Sequence, residues 1–534
     1  MNLRDFEPLS RAESLLLQAF ISGGIARIGY RRPQAASPDV TLRAEFLSFL
    51  ARGGDEGVRV HGRRIELLGA WVVGRFSLQG AVVPVSLWLF RCVFDTTPVL
   101  DGARIIGSVG FPDCALPALR AEACHIAGAL SLNSGCQIEG EVRLTRATIV
   151  RDLDCERAQF GGGSDSPPPG QQPLAADGAR IGGDVRLGKG FAASGEVRFV
   201  GARIDGDLRA SHAHLTGSIE PDGARQVALN LDRVRVAGSV LFGVGFTAAG
   251  CVRLERARIA GNLDGTGAAF DVVGDAGWSE GTALLLDGAR IGGSLLLRRL
   301  QAPLLGASLA GARVGALVDD ESTWGQRQVL DGFRYARLAD GAPTDARFRL
   351  AWLARQRPAH LDDDFRPEPW RQLIKVLRRM GHEHSAGSVA IGRESQLRRA
   401  DRIGTGTPRL WRWLPRFGHC VFGLLAGYGH RPLRLLKSMA LLWLGCAGVY
   451  QMVAMQGAAA PVNPLLFSLE RMLPLLDLLQ WREGLALVDN PAGAVVGWAW
   501  VLRSVAVLET LLGWAASLTL VAILAGWTDR DRRG

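Results

Sequence analysis

The chain has 534 residues, which is too long for one ordinary globular domain. Its 67 Gly follow no Gly-X-Y period, and this excludes a collagen-like fibre. Lys and Arg outnumber Asp and Glu by 62 to 52, so the net charge of +10 favours an anionic partner, either a membrane surface or a polyanion. A generally Arg-rich composition is the alternative explanation. The start, MNLRDFEPLSRAESL, has no apolar run behind a basic head, so no signal peptide is expected.

Residues 1–60 are predicted to form a helical N-terminal cap. Two short amphipathic helices are expected there, at 10–30 and 41–52, because apolar residues recur on one face of each. They would cover the first coil of the repeat that follows, since an open end of such an array exposes unpaired strand edges.

Residues 61–340 contain an internal repeat. One series of apolar positions is Ile126, Ile181, Val236 and Ile291, and a second is Ile149, Ile204, Ile259 and Val314; within each series the residue number rises by 55. The two series interleave, so from one to the other the residue number rises alternately by 23 and by 32. A third series, starting GEVRL at Gly140, keeps the same period. One period in three registers indicates a structural repeat.

The repeat predicts short parallel strands. In the pattern I-x-G-x-[VL]-x-[LF] apolar residues alternate, which is strand spacing, and the Gly is expected to take a positive φ at a corner. The shorter step fits one coil of a parallel β-helix, and the longer step fits the same coil with a loop such as 161–173. The expected fold class is therefore mainly β, a parallel β-helix (solenoid) with a two-coil repeat, followed by helices.

Arginine recurs just before the inward-facing residue of most coils. Stacked at strand spacing, these side chains would form a basic face that needs anions or acidic neighbours such as Asp184 and Asp207. Two interpretations remain open: a solvated, internally compensated face, or a face that binds an anion or docks a protein. The candidate residues are Arg104, Arg180, Arg203, Arg235, Arg258, Arg290 and Arg313.

A helical connector is expected at 341–405, with a first helix at 344–356. Helices at 366–382 and 385–400 resemble one tetratricopeptide-like antiparallel pair. A basic juxtamembrane segment then covers 406–437.

Two transmembrane helices are predicted after the connector. The first occupies 438–458, and the second lies in 494–528, ahead of a basic tail at 529–534. The intervening segment, 459–493, contains a short helix at 466–480 that is expected to be interfacial or re-entrant. Basic residues flank the outer ends of both spans, so the positive-inside rule predicts cytoplasmic termini and an inner-membrane, multi-pass protein. Glu509 is a candidate intramembrane acid, although it could instead lie at the interface.

The order of solenoid, helix pair, LLAGYGHRPLR (424–434), first span, SLERMLPLLDL (468–478) and second span resembles a family of bacterial membrane proteins without an established function. Some members carry the label membrane-associated oxidoreductase. The membrane part is also similar to a two-helix potassium-channel pore module. It departs from that module because 480–493 holds no TVGYG-type filter sequence.

No cofactor, metal or catalytic residue is predicted. GKGFAASG (188–195) and GVGFTAAG (243–250) are separated by one period and belong to the repeat, so they are not phosphate loops. The pairs His212/His214 and His382/His384 lack a third ligand, and LDDDF (361–365) fits a helix-capping region. The eight Cys form no CxxC pair and are expected to be reduced, buried thiols.

The favoured function is therefore a membrane-anchored cytoplasmic scaffold that presents a rigid β-solenoid face. A pore-like or signal-transducing module with the solenoid as its sensor is the first alternative. A membrane-associated oxidoreductase is the second. The partners that the sequence allows are membrane lipid, a protein or anionic partner on the solenoid face, and a second copy of the chain; no specific nucleic acid is indicated.

Overall fold

The computed structural model describes residues 2–55, 64–163, 167–218, 227–271, 281–403, 413–429, 432–454, 463–473 and 499–531. They fall into two compact units, Met1–His382 and Glu383–Gly534. The first unit consists mainly of parallel strands and the second of helices. The boundary lies between the predicted helices 366–382 and 385–400, which were expected to form an antiparallel pair.

Three parallel sheets dominate the first unit, so the protein is mainly β. Over the described residues, sheets A, B and C contain 21, 10 and 8 strands. Sheet A comprises Ile25–Arg27, Arg64–Leu68, Val82–Val83, Ser86–Phe90, Arg104–Ile105, Val109–Gly110, His125–Ile126, Leu130–Ser131, Thr148–Ile149, Leu153–Asp154, Arg180–Ile181, Val185–Arg186, Arg203–Ile204, Leu208–Arg209, Arg235–Val236, Val240–Leu241, Arg258–Ile259, Leu263–Asp264, Arg290–Leu297, Arg313–Asp319 and Arg334–Leu338.

The other two sheets are built from equally short strands. Sheet B comprises Thr41–Arg43, Trp71–Val73, Val93–Phe94, Ala115–Leu116, Gln137–Ile138, Gln159–Phe160, Ala192–Ser194, His214–Thr216, Thr247–Ala249 and Ala269–Asp271. Sheet C comprises Leu119–Arg120, Val142–Arg143, Leu174–Ala175, Val197–Arg198, Val227–Asn230, Cys251–Arg253, Leu284–Leu285 and Ala307–Ser308.

The strand pairings follow the steps of the sequence repeat. Between Arg104 and Leu285 the chain adds two strands to sheet A, then one to sheet B and one to sheet C, and repeats this order. Ile126 pairs with Ile149 across the short step, and Ile149 pairs with Ile181 across the long step. This alternation continues through Ile204 and Val236. In each longer step the additional residues fall between the sheet B strand and the sheet C strand, after Phe160, Thr216 and Asp271. Residues 219–226 and 272–280 of these segments lie outside the described residues.

The paired apolar residues form the core of the first unit. Ile149, Ile181 and Ile204 are each at most 1% exposed, and the alternate side chains on both sides of them point to solvent. Full burial of one such side chain contributes about 1.5–3 kcal/mol, so the stacked rows account for much of the stability.

The Gly of the I-x-G pattern has a different role from the one expected. Gly183, Gly206 and Gly238 do not have a positive φ; a Cβ at Gly183 would collide with the carboxylate of Asp152 in the preceding coil. The left-handed turn lies earlier in the repeat, at Gly201, which has a φ of 66°. Close approach of neighbouring coils, rather than backbone conformation, therefore requires the patterned Gly.

That close approach allows a ladder of side chain to backbone hydrogen bonds. The Asp184 N–H donates to Oδ1 of Asp152 over 2.9 Å, the Asp207 N–H to Asp184 over 2.9 Å, and the Ser239 N–H to Asp207 over 2.8 Å. Each side chain thus satisfies a backbone donor of the next coil at a corner of sheet A.

The N-terminal segment contains less helix than predicted. Helix α1, Arg11–Ser22, ends where Gly23 takes a φ of 73°, and α2 covers Ala44–Ala51. A short 3-10 helix, Leu3–Phe6, precedes them. The strands Ile25–Arg27 and Thr41–Arg43 pair with the sheets, so the segment adds strands to sheets A and B as well as helices.

Three helices follow the last strand of sheet A within the first unit. They are α3 (Ala346–Leu353), α4 (Pro358–Leu361) and α5 (Glu368–Arg379). The amide of Gln372 in α5 donates to the Tyr335 carbonyl over 2.6 Å, which holds α5 beside the final strand.

The second unit contains helices α6 (Glu383–Arg399), α7 (Trp413–Ala426), α8 (Pro432–Ala454), α9 (Pro464–Met472) and α10 (Ala499–Asp531) in its described part. A 3-10 turn, Gly427–Gly429, precedes α8. The predicted helix at 466–480 is described only as far as 473, and α9 starts two residues earlier than predicted.

Candidate functional site

The first candidate site is a row of arginines along sheet A. Arg180 pairs with Arg203, Arg203 with Arg235, and the register continues coil by coil to the last strand. We call this set the arginine row: Arg180, Arg203, Arg235, Arg258, Arg290, Arg313 and Arg334. Arg334 was missed in the sequence because its coil has Tyr335 instead of Ile or Val. Arg104 shares the face but is separated from the row by His125 and Thr148.

All seven side chains of the arginine row are exposed. Neighbouring strands of a sheet are about 4.8 Å apart, so the row is about 29 Å long. Two unit charges at that separation repel each other by about 1 kcal/mol in water. Repulsion between neighbouring arginines therefore raises the free energy of this face, and a bound anion would lower it.

The acidic neighbours expected to compensate the row are engaged elsewhere. Asp184 and Asp207 lie 3.4 and 2.9 Å from the guanidinium of Arg209, outside the row. Within the described residues, the ion pair of the row is Arg203 with Asp205, at 2.8 Å. The expectation that Asp184 and Asp207 compensate the row is wrong, because their position at the corner turns them toward the next coil's backbone and Arg209.

Sheet C shows the contrasting arrangement. Its arginines recur with the period of the repeat, but each is paired with an acid from the preceding coil. The distances are 3.2 Å for Arg143–Glu122, 2.8 Å for Arg198–Asp177 and 2.7 Å for Arg253–Asp232. The positive charges on sheet C are thus compensated by neighbouring acids, whereas the arginine row has an excess of positive charge.

A groove of about 420 Å³ runs along the middle of the row. Its walls include Arg203, Arg235, Arg258 and Arg290, and small residues such as Ala237, Ala260 and Gly292 form its floor. Two further exposed arginines, Arg233 and Arg256, precede row members by two residues, and both have a positive φ. The groove is therefore an anion-attracting surface with space between the guanidinium groups.

The second candidate site is a buried carboxyl group in the second unit. Glu509 of α10 is 0% exposed. The Tyr450 hydroxyl of α8 donates to its Oε2 over 2.7 Å, and the Ser468 hydroxyl of α9 contacts its Oε1. Glu509 therefore joins three helices and is buried within this unit. Tyr450 and Ser468 were missed because neither carries a charge nor recurs with a period that would connect it to Glu509.

Helix α9 is held between α8 and α10 by further polar contacts. The Trp443 indole N–H donates to the Leu465 carbonyl over 2.8 Å, and the Ser468 hydroxyl lies 3.1 Å from the Trp443 carbonyl oxygen. Gly513 of α10 lies so close to α9 that a Cβ there would collide with the Met472 carbonyl. Small residues at such contacts are typical of closely packed apolar helices.

Helices α8 and α10 are long and apolar enough to cross a membrane, over Leu433–Met452 and Arg503–Val521. Much of their apolar surface is uncovered: Leu441 is 77% exposed and Leu518 67%. The three-helix core itself contains Cys446, Phe467 and Ala506 around the buried carboxyl group.

Other candidate chemistry is not assembled into a site. In the part of the chain that the structure describes, no three His, Cys, Asp or Glu side chains are grouped to hold a metal ion. His214 contacts Thr247 through Nδ1 at 2.8 Å. Asp364 of the LDDDF segment forms a salt bridge with Arg366 at 2.6 Å. All eight Cys are free thiols; six are buried, Cys251 is partly buried and Cys420 is exposed.

A scan of family models, a search of curated proteins and a search of solved structures each found no match to the chain.

Proposed function

We propose that this protein is a membrane-anchored interaction protein that presents a basic β-solenoid face to an anionic partner. Helices α8 and α10 would be the transmembrane anchor. The observation that carries the proposal is their uncovered apolar surface, which includes Leu433, Leu444 and Leu511 at 72, 54 and 64% exposure. Soluble proteins rarely expose a continuous apolar surface of this kind, whereas lipid tails would cover it.

In this proposal the three sheets are the faces of one parallel β-solenoid, and each repeat unit is two coils. The supporting evidence is the in-register pairing of equivalent residues and the repeated order of sheets A, B and C along the chain. A stack with a continuous apolar core is a stiff support. Its outward rows, including the arginine row, would then be displayed in fixed positions.

The proposed location is the cell inner membrane, with both termini in the cytoplasm. Basic residues before α8 and after 529 support this orientation, because positively charged flanks remain on the cytoplasmic side. The acidic headgroups of the cytoplasmic leaflet would then face the same compartment as the solenoid.

Alkaline extraction and topology reporters test this function. Full-length protein should stay in the membrane pellet after a high-pH wash. A reporter that is active only in the periplasm should be silent after Gly534 and active when inserted in 459–493. Release by the wash, or periplasmic activity after Gly534, would overturn the proposed anchor or its orientation.

A second candidate function is a pore-like or signal-transducing module with the solenoid as sensor. The position of α9 between α8 and α10, joined to both through Glu509, favours it because a short helix between two spans is the arrangement of a simple pore subunit. Ion flux through reconstituted protein distinguishes it from a passive anchor.

A further inference from the structure

The face of sheet A that carries the arginine row also carries exposed apolar side chains. Val82 pairs with Arg104 and is 59% exposed, while Ile106 and Val150 directly follow inward residues and are 57 and 48% exposed. Towards the C-terminal coils the equivalent positions become small, as at Ala237 and Ala260, and the arginines become continuous. One face thus combines apolar side chains at one end with a basic row at the other, in which the ion pair among the described residues is Arg203–Asp205.

We propose that this face docks on anionic lipid headgroups of the membrane in which α8 and α10 are inserted. The inference rests on the membrane anchoring proposed above and names the partner of the basic face. Peripheral membrane surfaces combine apolar side chains that enter the headgroup region with basic side chains that bind acidic lipids.

Lipid fits the arginine row better than a fixed partner does. Headgroup phosphates move laterally in a fluid bilayer, so they can match guanidinium groups that are about 4.8 Å apart. Arg forms two parallel hydrogen bonds to a phosphate, and the groove beside Arg235 and Arg258 leaves room for one between neighbouring side chains.

The composition of the groove disfavours a single-stranded nucleic acid. Such a strand binds through aromatic side chains on which its bases stack. Besides its arginines and the strand residues Ile204, Val236 and Ile259, the groove is lined by Asp205, Ala237, Ala260 and Gly292, and none of these residues is aromatic. Binding to a membrane surface does not require aromatic side chains on which bases can stack.

The proposed anchor would also tether the face to a membrane. Both units belong to one chain, so an anchor that is inserted through α8 and α10 keeps the local lipid concentration high. A weak interaction per arginine is then sufficient. Each basic residue near an acidic membrane raises the docked-to-undocked ratio by about fivefold, which corresponds to about 1 kcal/mol.

The test uses full-length protein reconstituted in phosphatidylcholine vesicles with or without phosphatidylglycerol. The accessible thiol Cys420 is replaced by Ser, and a fluorophore is attached at Ala260→Cys on the groove floor or, as a control, at Gln159→Cys, which is exposed on sheet B. Energy transfer to a headgroup-labelled lipid reports docking. It should increase at position 260 only when phosphatidylglycerol is present, and it should decrease when salt shortens the screening length to about 3 Å.

Matched arginine variants assign the effect to the face. Arg235→Gln, Arg258→Gln and Arg290→Gln together should reduce the docked-to-undocked ratio by about a hundredfold, the product of three fivefold steps. Arg120→Gln, Arg143→Gln and Arg253→Gln remove the same charge from sheet C and should leave docking unchanged. Similar losses in both triple variants would overturn the proposal.

Insertion and docking are measured separately. Protein that resists the alkaline wash but shows no phosphatidylglycerol-dependent transfer at position 260 would overturn lipid docking while leaving the anchor intact. Protein that the wash removes would overturn both, because docking is proposed on the anchoring membrane. Tight binding of a single-stranded oligonucleotide or an acidic peptide that the row variant loses, without energy transfer to lipid, would assign the face to that partner instead.

Discussion

Arg349 and Asp319 form a fully buried, two-pronged ion pair. The guanidinium Nη1 and Nη2 each lie 2.7 Å from a carboxylate oxygen, and both side chains are 0% exposed. The Trp324 indole donates to the same carboxylate over 2.7 Å, and Nε of Arg349 donates to the Pro343 carbonyl over 2.7 Å. The pair joins α3 to the C-terminal end of the strand Arg313–Asp319, the next-to-last strand of sheet A.

Replacing Arg349 by Ala should destabilise the first unit by about 3–5 kcal/mol, because it leaves Asp319 as a buried charge without its cationic partner. Urea unfolding followed by far-ultraviolet circular dichroism measures the change. Arg347→Ala is the matched control, since Arg347 is exposed on the same helix. Equal unfolding midpoints for the two variants would show that the pair does not hold α3.

Replacing Ile204 by Asp should cost several kcal/mol, because Ile204 is 0% exposed between Ile181 and Val236 and a buried carboxylate is poorly solvated. Arg203→Asp places the same side chain one residue earlier, on the exposed side, and should change stability by about 0.5 kcal/mol or less. Thermal unfolding of both variants decides the point. If Ile204→Asp has the same melting temperature as wild type, Ile204 does not lie in the core.

The stability of the N-terminal segment should depend on acid pH through Glu13. Burial alone would raise the pKa of Glu13, but hydrogen bonds from the Arg43 side chain and the Ser10 backbone lower the pKa below its usual 4.5. A carboxylate with a lowered folded pKa stabilises the fold above its unfolded pKa, and this contribution is lost as the pH falls through the folded value. Stability should therefore fall progressively below pH 4.5.

Glu13→Gln should reduce stability at neutral pH and should weaken this acid-dependent loss. Asp39→Asn is the control, because Asp39 and its partner Arg11 are each 74% exposed and contribute little. Unfolding curves at several pH values measure both effects. A pH profile of Glu13→Gln that is parallel to that of wild type would exclude Glu13 as a source of the dependence.

The buried carboxyl group of the second unit should matter for stability. Glu509→Ala removes the acceptor of the Tyr450 hydroxyl and one of two acceptors near the Ser468 hydroxyl, the other being the Trp443 carbonyl, and should cost about 2 kcal/mol. Ser504→Ala removes an exposed hydroxyl that donates to the Trp500 carbonyl of the same helix and should be nearly neutral. The melting temperatures of the two variants in detergent measure this difference.

Reconstituted wild-type protein should show no cation flux if α8 and α10 act as an anchor. Because Glu509 already has hydrogen-bonding partners on two neighbouring helices, Glu509→Gln should alter melting more than any transport. A reproducible conductance that disappears in Glu509→Gln would instead promote the pore-like function to first place.

The sequence predicted the parts of the fold that repeat. Ile126, Ile149, Ile181 and Ile204 mark their own register, because equivalent residues of successive coils are strand partners. It also predicted two apolar helices near the C-terminus. The strands were predictable because their residues are equally spaced in the sequence. The helices were predictable because each is one continuous apolar stretch.

Features that depend on contacts between dissimilar positions were not predictable. The partners Tyr450 and Ser468 lie 59 and 41 residues from Glu509 and follow no period. The burial of Arg349 was hidden because an Arg in a short helix that follows the repeat is normally exposed. The contacts of Asp184 with the Asp207 N–H and with Arg209 depend on the distance between adjacent coils. The spacing of residues along the sequence does not specify that distance.

The alternation of short and long steps has a steric consequence for the length of the repeat. The additional residues always leave sheet B and enter sheet C, after Phe160, Thr216 and Asp271. If every coil carried such an insertion, the attachment points would be about 4.8 Å apart, which is the spacing of paired strands and leaves each insertion no more room than a strand has. Placing one on every second coil doubles the separation to about 10 Å, the distance at which two layers of side chains pack. The alternation therefore gives each insertion about twice the space of a strand, and longer segments could be added at this corner without shifting the arginines on sheet A.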